Sequence, residues 1–128
     1  MERRAVLRNA LGMGLVGTAA AACRQVPVQQ ELGGEFSGRG SSAMRADQIR
    51  RAGAAQGWII DTRAPGLMRG TYSRRDQQAV VDIVHDARRF TIRYAGSTNL
   101  KYDGRSIDNN YNNYVQRLQR AILEQPAV

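Results

Sequence analysis

The sequence predicts an α+β domain in which a four-stranded antiparallel meander carries an N-terminal and a C-terminal helix on one face, in the order α-β-β-β-β-α. Two segments with helical periodicity flank a stretch in which apolar and polar residues alternate with period two, the pattern of half-buried strands. Short clusters of turn residues divide that stretch, as in consecutive hairpins. We therefore expect one small domain over residues 42–128.

The first helix is expected over residues 44–56. Ser41 or Ser42 provides a side-chain oxygen that can cap its start, and Gly57 stands where a helix commonly ends. Helical spacing predicts a thin apolar stripe. That stripe consists of Met44, Ile49, Ala52 and Gly53.

Four strands are expected next, over residues 58–63, 67–73, 78–85 and 90–95. Residues 64–66 and 86–89 provide the turns. Alternation assigns the faces of the last two strands, with Asp82, Thr91 and Arg93 pointing away from the core. The residues expected in the core are Ala79, Val81, Ile83, Phe90, Ile92 and Tyr94.

A loop rich in Gly, Asn and Asp is predicted over residues 96–110, followed by an amphipathic helix over residues 111–123 that ends before Pro126. The apolar positions of this helix recur at helical spacing, so they should face the sheet. They are Tyr111, Tyr114, Val115, Leu118 and Ile122.

The N-terminal segment has the layout of a signal peptide, a basic head followed by an uncharged stretch over residues 11–22. A helix of that length is about 18 Å long, too short for a hydrocarbon core of about 30 Å. Arg3 and Arg4, followed by an apolar pair and Arg8, resemble the twin-arginine export motif. The alternative is an ordinary signal that carries paired arginines. We expect residues 1–22 to be a signal peptide.

Cys23 is the only cysteine, and it follows a run of four alanines. Ala20 to Cys23 resembles a lipobox, the site at which bacterial lipoproteins are lipidated and cleaved, although the usual leucine three places before the cysteine is alanine. The resemblance implies a diacylglyceryl group on the Cys23 thiol and a membrane anchor that holds the protein firmly. The residue that follows is Arg24 rather than aspartate, which favours the outer membrane over the inner membrane.

Residues 23–41 are predicted to be the lipidated cysteine and a flexible tether, because they are polar, rich in glycine and without apolar periodicity. At roughly 5 to 6 Å times the square root of length, such a tether reaches about 20 to 25 Å, which holds the domain clear of the lipid headgroups.

The chain is strongly basic, with 19 Lys and Arg against 11 Asp and Glu and a net charge of +8. Cleavage before Cys23 leaves sixteen cations and ten anions, a net charge of +6. Such an excess suits nucleic acid, anionic lipid or an acidic polysaccharide. The arginines are scattered, which is typical of a solvated basic surface, and export argues against nucleic acid as the natural target.

A wider set of residues between positions 44 and 124 resembles a group of small uncharacterised proteobacterial lipoproteins. The resemblance implies fold and location and no chemistry. Gln77 and Asp108 depart from the histidines that it leads us to expect, which argues against a metal or acid/base role. The matching residues are Gly57, Trp58, Pro65, Gly66, Arg75, Ala79, Ile83, Phe90 to Tyr94, Ser97, Asn99, Leu100, Tyr102, Ile107, Tyr111 and Asn112.

Few residues suggest catalysis. His85, the only histidine, ends an apolar strand, where a hydrogen-bonded core residue is the commoner role. A hydrolase set of Ser97, His85 and Asp86 can be assembled on paper, but no nucleophile-elbow motif accompanies it. The sequence has neither a zinc-binding spacing nor a phosphate loop, so we expect no metal and no cofactor.

A cluster of tyrosines and amides around the 96–112 loop is the more suggestive candidate for a ligand site, since rings stack on ligands while amides both donate and accept hydrogen bonds. Turn formation and core packing are the alternative roles. The candidate residues are Tyr94, Ser97, Asn99, Tyr102 and Asn112.

These observations predict a membrane-tethered envelope protein that faces the periplasm and is a non-enzymatic binding or structural module. Its expected partners are the membrane, through lipid on Cys23, and an envelope protein or polysaccharide. The alternatives are an envelope hydrolase and a basic module that binds an anionic polymer or lipid.

Overall fold

The computed structural model describes residues 25–127. The predicted signal segment with Arg3 and Arg4, and the predicted lipidation site Cys23, lie outside these described residues. The elements are β1 (Gln25–Pro27), β2 (Glu31–Glu35), α1 (Ser42–Ala55), β3 (Trp58–Ala64), β4 (Leu67–Arg74), β5 (Gln77–His85), β6 (Arg89–Thr98), β7 (Ser106–Asp108) and α2 (Asn109–Glu124).

The fold is α+β, as predicted, but the antiparallel sheet has five strands instead of four, in the order β2-β6-β5-β4-β3. The predicted meander is present as β3 to β6, with Ile83 opposite Ile92 and His85 opposite Phe90. The fifth strand, β2, comes from the segment that we expected to be a flexible tether. In the same segment, β1 pairs with β7 in a second, two-stranded sheet.

Strand β2 forms because its glycines allow a close approach that a bulkier strand would prevent. Leu32 lies opposite Ile92 and packs against the core. A Cβ on Gly34 would lie 2.8 Å from the ring of Phe90, so only glycine fits there without a shift. The side chain of Gln119 on α2 also donates a hydrogen bond to the Gly33 carbonyl, 2.7 Å away. Glycines that are typical of a linker therefore serve as a packing surface.

Helix α1 begins and ends as the sequence predicts. Ser41 caps its start and accepts a hydrogen bond from the backbone N–H of Met44. Gly57 follows the helix with a φ of 88°, a left-handed conformation in which glycine is favoured.

The buried stripe of α1 differs from the predicted one at three positions. Met44 is 36% exposed, whereas Arg45 and Gln48 are buried together with the expected Ile49. Apolar character alone was a poor guide here, because Arg45 and Gln48 face backbone carbonyls of neighbouring segments, and these carbonyls need hydrogen-bond donors. The predicted stripe of α2 is confirmed in full: Tyr111, Tyr114, Val115, Leu118 and Ile122 are all buried.

The Arg45 guanidinium connects three segments through backbone oxygens. It donates hydrogen bonds to the carbonyls of Ala87 at 2.9 Å, Ser37 at 3.1 Å and Gly38 at 2.8 Å. It also donates to the side-chain oxygen of Gln48, whose amide in turn donates to carbonyls at the C-terminal end of α2. This network joins α1 to the β5–β6 turn and to α2.

The sheet face away from the helices carries a row of alternating charges that crosses all five strands. Its members are successive cross-strand partners, in the order Asp61, Arg69, Asp82, Arg93 and Glu31. Arg69 pairs with Asp82 at 2.9 Å, and Arg93 pairs with Glu31 at 3.0 Å. The charges in this row therefore compensate one another. Within residues 25–127, no helix has the length and apolar character needed to cross a membrane.

Candidate functional site

Four of the five predicted ligand residues lie together. They line a shallow cleft of about 390 Å³, which we call the tyrosine cleft. Its lining includes Tyr94, Ser97, Asn99, Lys101 and Tyr102. Tyr94 and Ser97 share a hydrogen bond of 2.8 Å between their hydroxyls. The rings of Tyr94 and Tyr102 are 4.3 Å apart, and Tyr102 remains 36% exposed.

Asn112, the fifth predicted residue, is not part of this cleft. It is buried on α2, where its amide donates to the Pro27 carbonyl at 3.0 Å and its oxygen accepts from the Gln29 N–H at 3.1 Å. Asn112 therefore fastens the N-terminal segment to the domain. The sequence did not indicate this contact, because the segment that Asn112 binds was expected to be a flexible tether.

Beneath the tyrosine cleft lies Tyr111, whose ring meets that of Tyr94 edge to face at 5.2 Å. Its hydroxyl is the one buried side-chain polar atom of residues 25–127 that has no hydrogen-bond partner. Burial raises the pKa of the Tyr111 phenol, and the neighbouring Tyr94 and Tyr102 raise that pKa further. The tyrosine cleft thus lies over the buried ring of Tyr111, whose phenol stays neutral.

The hydrolase set does not assemble. Ser97 lies opposite Ala79 across β5 and β6, while His85 lies six residues further along β5. At about 3.3 Å per residue, that separation is roughly 20 Å, far beyond hydrogen-bond reach. Asp86 uses its carboxylate in a turn, where it accepts from the Arg88 and Arg89 N–H groups.

His85 is the strand-end core residue that its position in the sequence indicates. Its side chain is buried, its Nδ1 lies 3.4 Å from the Asp86 carbonyl, and its backbone N–H donates to the Gly66 carbonyl. Among the residues that the structure describes, no three His, Cys, Asp or Glu side chains are grouped so as to hold a metal ion.

A larger cleft of about 610 Å³ lies between the β4–β5 turn and the exposed side of α2. We call it the arginine cleft, because Arg74 and Arg75 contribute from the turn and Arg117 and Arg120 from the helix. Asp76 is the only acidic residue that lines it. Four guanidinium groups therefore border one cleft with a single carboxylate.

The helix side of this cleft follows directly from helical spacing. Asn110, Asn113, Arg117 and Arg120 recur every three or four residues, so they lie along one side of α2.

Three aromatic rings support the arginine cleft from below. Trp58 packs against Tyr72 with ring centroids 5.3 Å apart, and Tyr72 packs against Tyr114 at 4.6 Å. The Tyr114 hydroxyl donates to the side-chain oxygen of Gln77 at 2.7 Å, which joins the helix to the turn. This contact therefore connects the two elements that carry the arginines.

The Tyr114 phenol is influenced by arginines from both sides of the arginine cleft. Burial raises the pKa of the Tyr114 phenol and the neighbouring Tyr72 adds to that effect, whereas Arg74 and Arg117 lower it. The guanidinium of Arg117 lies 5.6 Å from the centre of the Tyr114 ring. One arginine from each pair therefore influences the same tyrosine.

Comparison with protein-family models, with curated proteins and with solved structures finds no match for this chain.

The arginines of the cleft differ from those on the outer sheet face. Arg69, Arg89 and Arg93 each have a carboxylate partner at about 3 Å. Within the described part of the chain, the side chains of the four cleft arginines have neither a hydrogen bond nor an ion pair. Their donors are therefore available to a ligand.

The sequence contained part of the signal for this cleft. Arg74 and Arg75 are adjacent and form one of the densest basic pairs, and the interval between Arg117 and Arg120 places both on one helix side. The sequence predicts a solvated basic surface for these arginines, because nothing local indicates that the β4–β5 turn and α2 lie against each other.

Proposed function

We propose that this chain is a bacterial envelope lipoprotein and that its folded domain is a non-enzymatic module that binds an anionic ligand in the arginine cleft. Lipid on Cys23, after export directed by Arg3 and Arg4, holds the domain at the periplasmic face of a membrane, with the outer membrane favoured. The observation that carries the binding proposal is the convergence on one cleft of four arginines whose side chains form no hydrogen bond or ion pair within residues 25–127.

Guanidinium groups are suited to this role because each presents planar donors that match a carboxylate or phosphate in a bidentate manner. The aromatic support and the Gln77–Tyr114 contact fix the elements that carry them, so less ordering is needed when a ligand binds. The roughly 20 Å between Ser97 and His85 supports a binding role over the hydrolase alternative.

The test compares two double variants of the full chain, purified in a nonionic detergent. Arg117→Gln with Arg120→Gln removes two charges from the cleft, whereas Arg89→Gln with Arg93→Gln removes the same charge from paired residues on the outer sheet face. Binding of inorganic polyphosphate is measured for both by fluorescence anisotropy.

We expect the cleft variant to weaken polyphosphate binding by about tenfold, a loss of about 1.4 kcal/mol, because charge-assisted contacts are lost. The outer-face variant should weaken it by at most about twofold, because those arginines are already paired. Equal weakening in both variants would mean that net charge alone attracts the ligand, and the cleft would then have no binding role.

The anchor is tested separately by mass spectrometry of the mature N-terminus. We expect a diacylglyceryl thioether on Cys23 and a membrane-bound protein, and we expect Cys23→Ser to release the protein from the membrane fraction. An unmodified cysteine in the mature protein would refute the lipoprotein proposal and leave the binding proposal intact.

A further inference from the structure

The arginine cleft and the tyrosine cleft are adjacent. The turn that joins β4 to β5 borders the first cleft, and the end of β6 borders the second. Strand pairing brings them together, since Gln78 lies opposite Thr98. The side chain of Asn99 then crosses between them and donates a hydrogen bond to the Asp76 carbonyl at 2.8 Å. One residue from each cleft therefore forms the boundary.

Both clefts are bordered by strained backbone. Arg75, Asn99 and Lys101 are the only residues other than glycine with positive φ in the described part of the chain, at 56°, 56° and 57°. Such conformations are uncommon outside glycine, and they persist where the surrounding structure enforces them. One of the three lines the arginine cleft and two line the tyrosine cleft. Within the described residues, positive φ outside glycine thus occurs only at these two clefts.

The chemistry of the two clefts differs in a complementary way. The arginine cleft offers guanidinium groups for acidic substituents. The tyrosine cleft offers a partly exposed ring at Tyr102, which packs against the ring of Tyr94 and whose hydroxyl accepts a hydrogen bond from Gln30. The Ser97 hydroxyl and the Asn99 side chain line the same cleft. Rings of this kind pack on the apolar faces of sugars, while hydroxyls and amides match sugar hydroxyls. Lys101 adds a cation beside the tyrosines.

We infer that the two clefts are one extended site for an acidic glycan, with sugar rings against Tyr102 and carboxylates against the arginines. This inference rests on the proposed function, because it assigns a ligand class to the same arginine cleft. A single-stranded nucleic acid also combines bases that stack with charges that bind arginine. We favour the glycan because the signal-like N-terminal segment directs the chain out of the cytoplasm, and the test includes the nucleic acid.

The experiment uses the full chain in a nonionic detergent and four probes: alginate as a linear polyuronate, neutral dextran, inorganic polyphosphate and an oligothymidylate. Tyr102→Ala removes the exposed ring, and Tyr102→Phe restores it. Ile59→Ala is the matched control, since Ile59 is 69% exposed on the outer sheet face. Circular dichroism checks that each variant remains folded.

We expect alginate to bind and dextran not to bind, and we expect alginate binding to weaken as salt rises from about 50 to about 200 mM. Tyr102→Ala should weaken alginate binding by about fivefold and leave polyphosphate binding within about twofold. Tyr102→Phe and Ile59→Ala should bind alginate like the unmodified protein. The Arg117 and Arg120 double variant should lose affinity for both polymers.

Each other result contradicts a distinct part of the reasoning. If alginate binding requires the arginines but is unchanged in Tyr102→Ala, or if only polyphosphate binds, the extended site is wrong while the arginine cleft stands. Tighter binding of the oligothymidylate with the same dependence on Tyr102 would overturn the choice of a glycan, as would equal binding of dextran. If no polymer depends on the cleft arginines, the proposed function itself fails.

Discussion

Replacement of Arg45 by methionine should destabilise the domain strongly, although the new side chain has a similar length and is apolar. Arg45 is 1% exposed and donates to four oxygens, none of which belongs to a carboxylate. Without the guanidinium, the carbonyls of Ser37, Gly38 and Ala87 lose a charged donor. Each such bond contributes on the order of 1 kcal/mol or more, and the desolvation of the charge offsets part of the sum.

The contact with Gln48 raises the cost further, because it is fully buried and water cannot replace the lost donor. We therefore expect Arg45→Met to lower the free energy of unfolding by about 3 kcal/mol, because four acceptors each lose a donor and the removal of an unpaired buried charge offsets only part of that loss. For a domain of this size, that loss corresponds to a decrease in Tm of roughly 12 to 24 °C.

Urea denaturation followed by circular dichroism measures this loss in the segment of residues 24–128. Arg50→Met is the matched control, because Arg50 lies on the same helix but is exposed and pairs with Asp47. That control should lose less than about 1 kcal/mol. A loss for Arg45→Met below about 1 kcal/mol, or no larger than that of the control, would refute the argument that Arg45 holds the three segments together.

Three further predictions concern stability. Tyr111→Phe should raise the free energy of unfolding by about 1 kcal/mol in urea titrations, because it removes a buried hydroxyl without a partner; a loss of similar size would contradict this. Leu32→Ala should cost about 1 to 2 kcal/mol in the same assay, since β2 belongs to the sheet, whereas a tether residue would show no change. Backbone N–H groups lower the pKa of Asp86 and of Asp103 below the ordinary value of about 3.9, so the stability they contribute is present above that pH and is lost as the pH falls through the lowered values. Urea midpoints measured from about pH 5 to about pH 2 should therefore decline less in the Asp86→Asn, Asp103→Asn variant than in the unmodified protein.

The sequence predicted those elements whose burial is visible in a local pattern. Period-two alternation located β3 to β6 and assigned Ile83 and Ile92 to the core, and both are fully buried. Helical spacing identified every buried residue of α2 except Asn112. These predictions succeed because the direction of a side chain follows from its own strand or helix, whichever segment packs against it.

The N-terminal strands were beyond local patterns. Residues 31–35 contain two glycines, a glutamate at each end and Leu32 as the only large apolar residue, so they resemble a linker. They become a strand because the edge of β6 offers unpaired hydrogen-bonding groups and the ring of Phe90 leaves room for glycine alone. Arg45 was missed for a similar reason, since the carbonyls that surround it come from residues distant in sequence.

For the candidate site, the sequence determined which residues have suitable chemistry, and the tertiary structure decided which of them act together. The tyrosine and amide cluster was predicted from proximity along the chain. The structure places four of its members in one cleft, namely Tyr94, Ser97, Asn99 and Tyr102. The arginine cleft was not predicted, because its two halves lie about 40 residues apart in the chain and meet only when α2 packs on the sheet. Charge along a chain is a local property, whereas convergence of charge depends on how distant segments fold together.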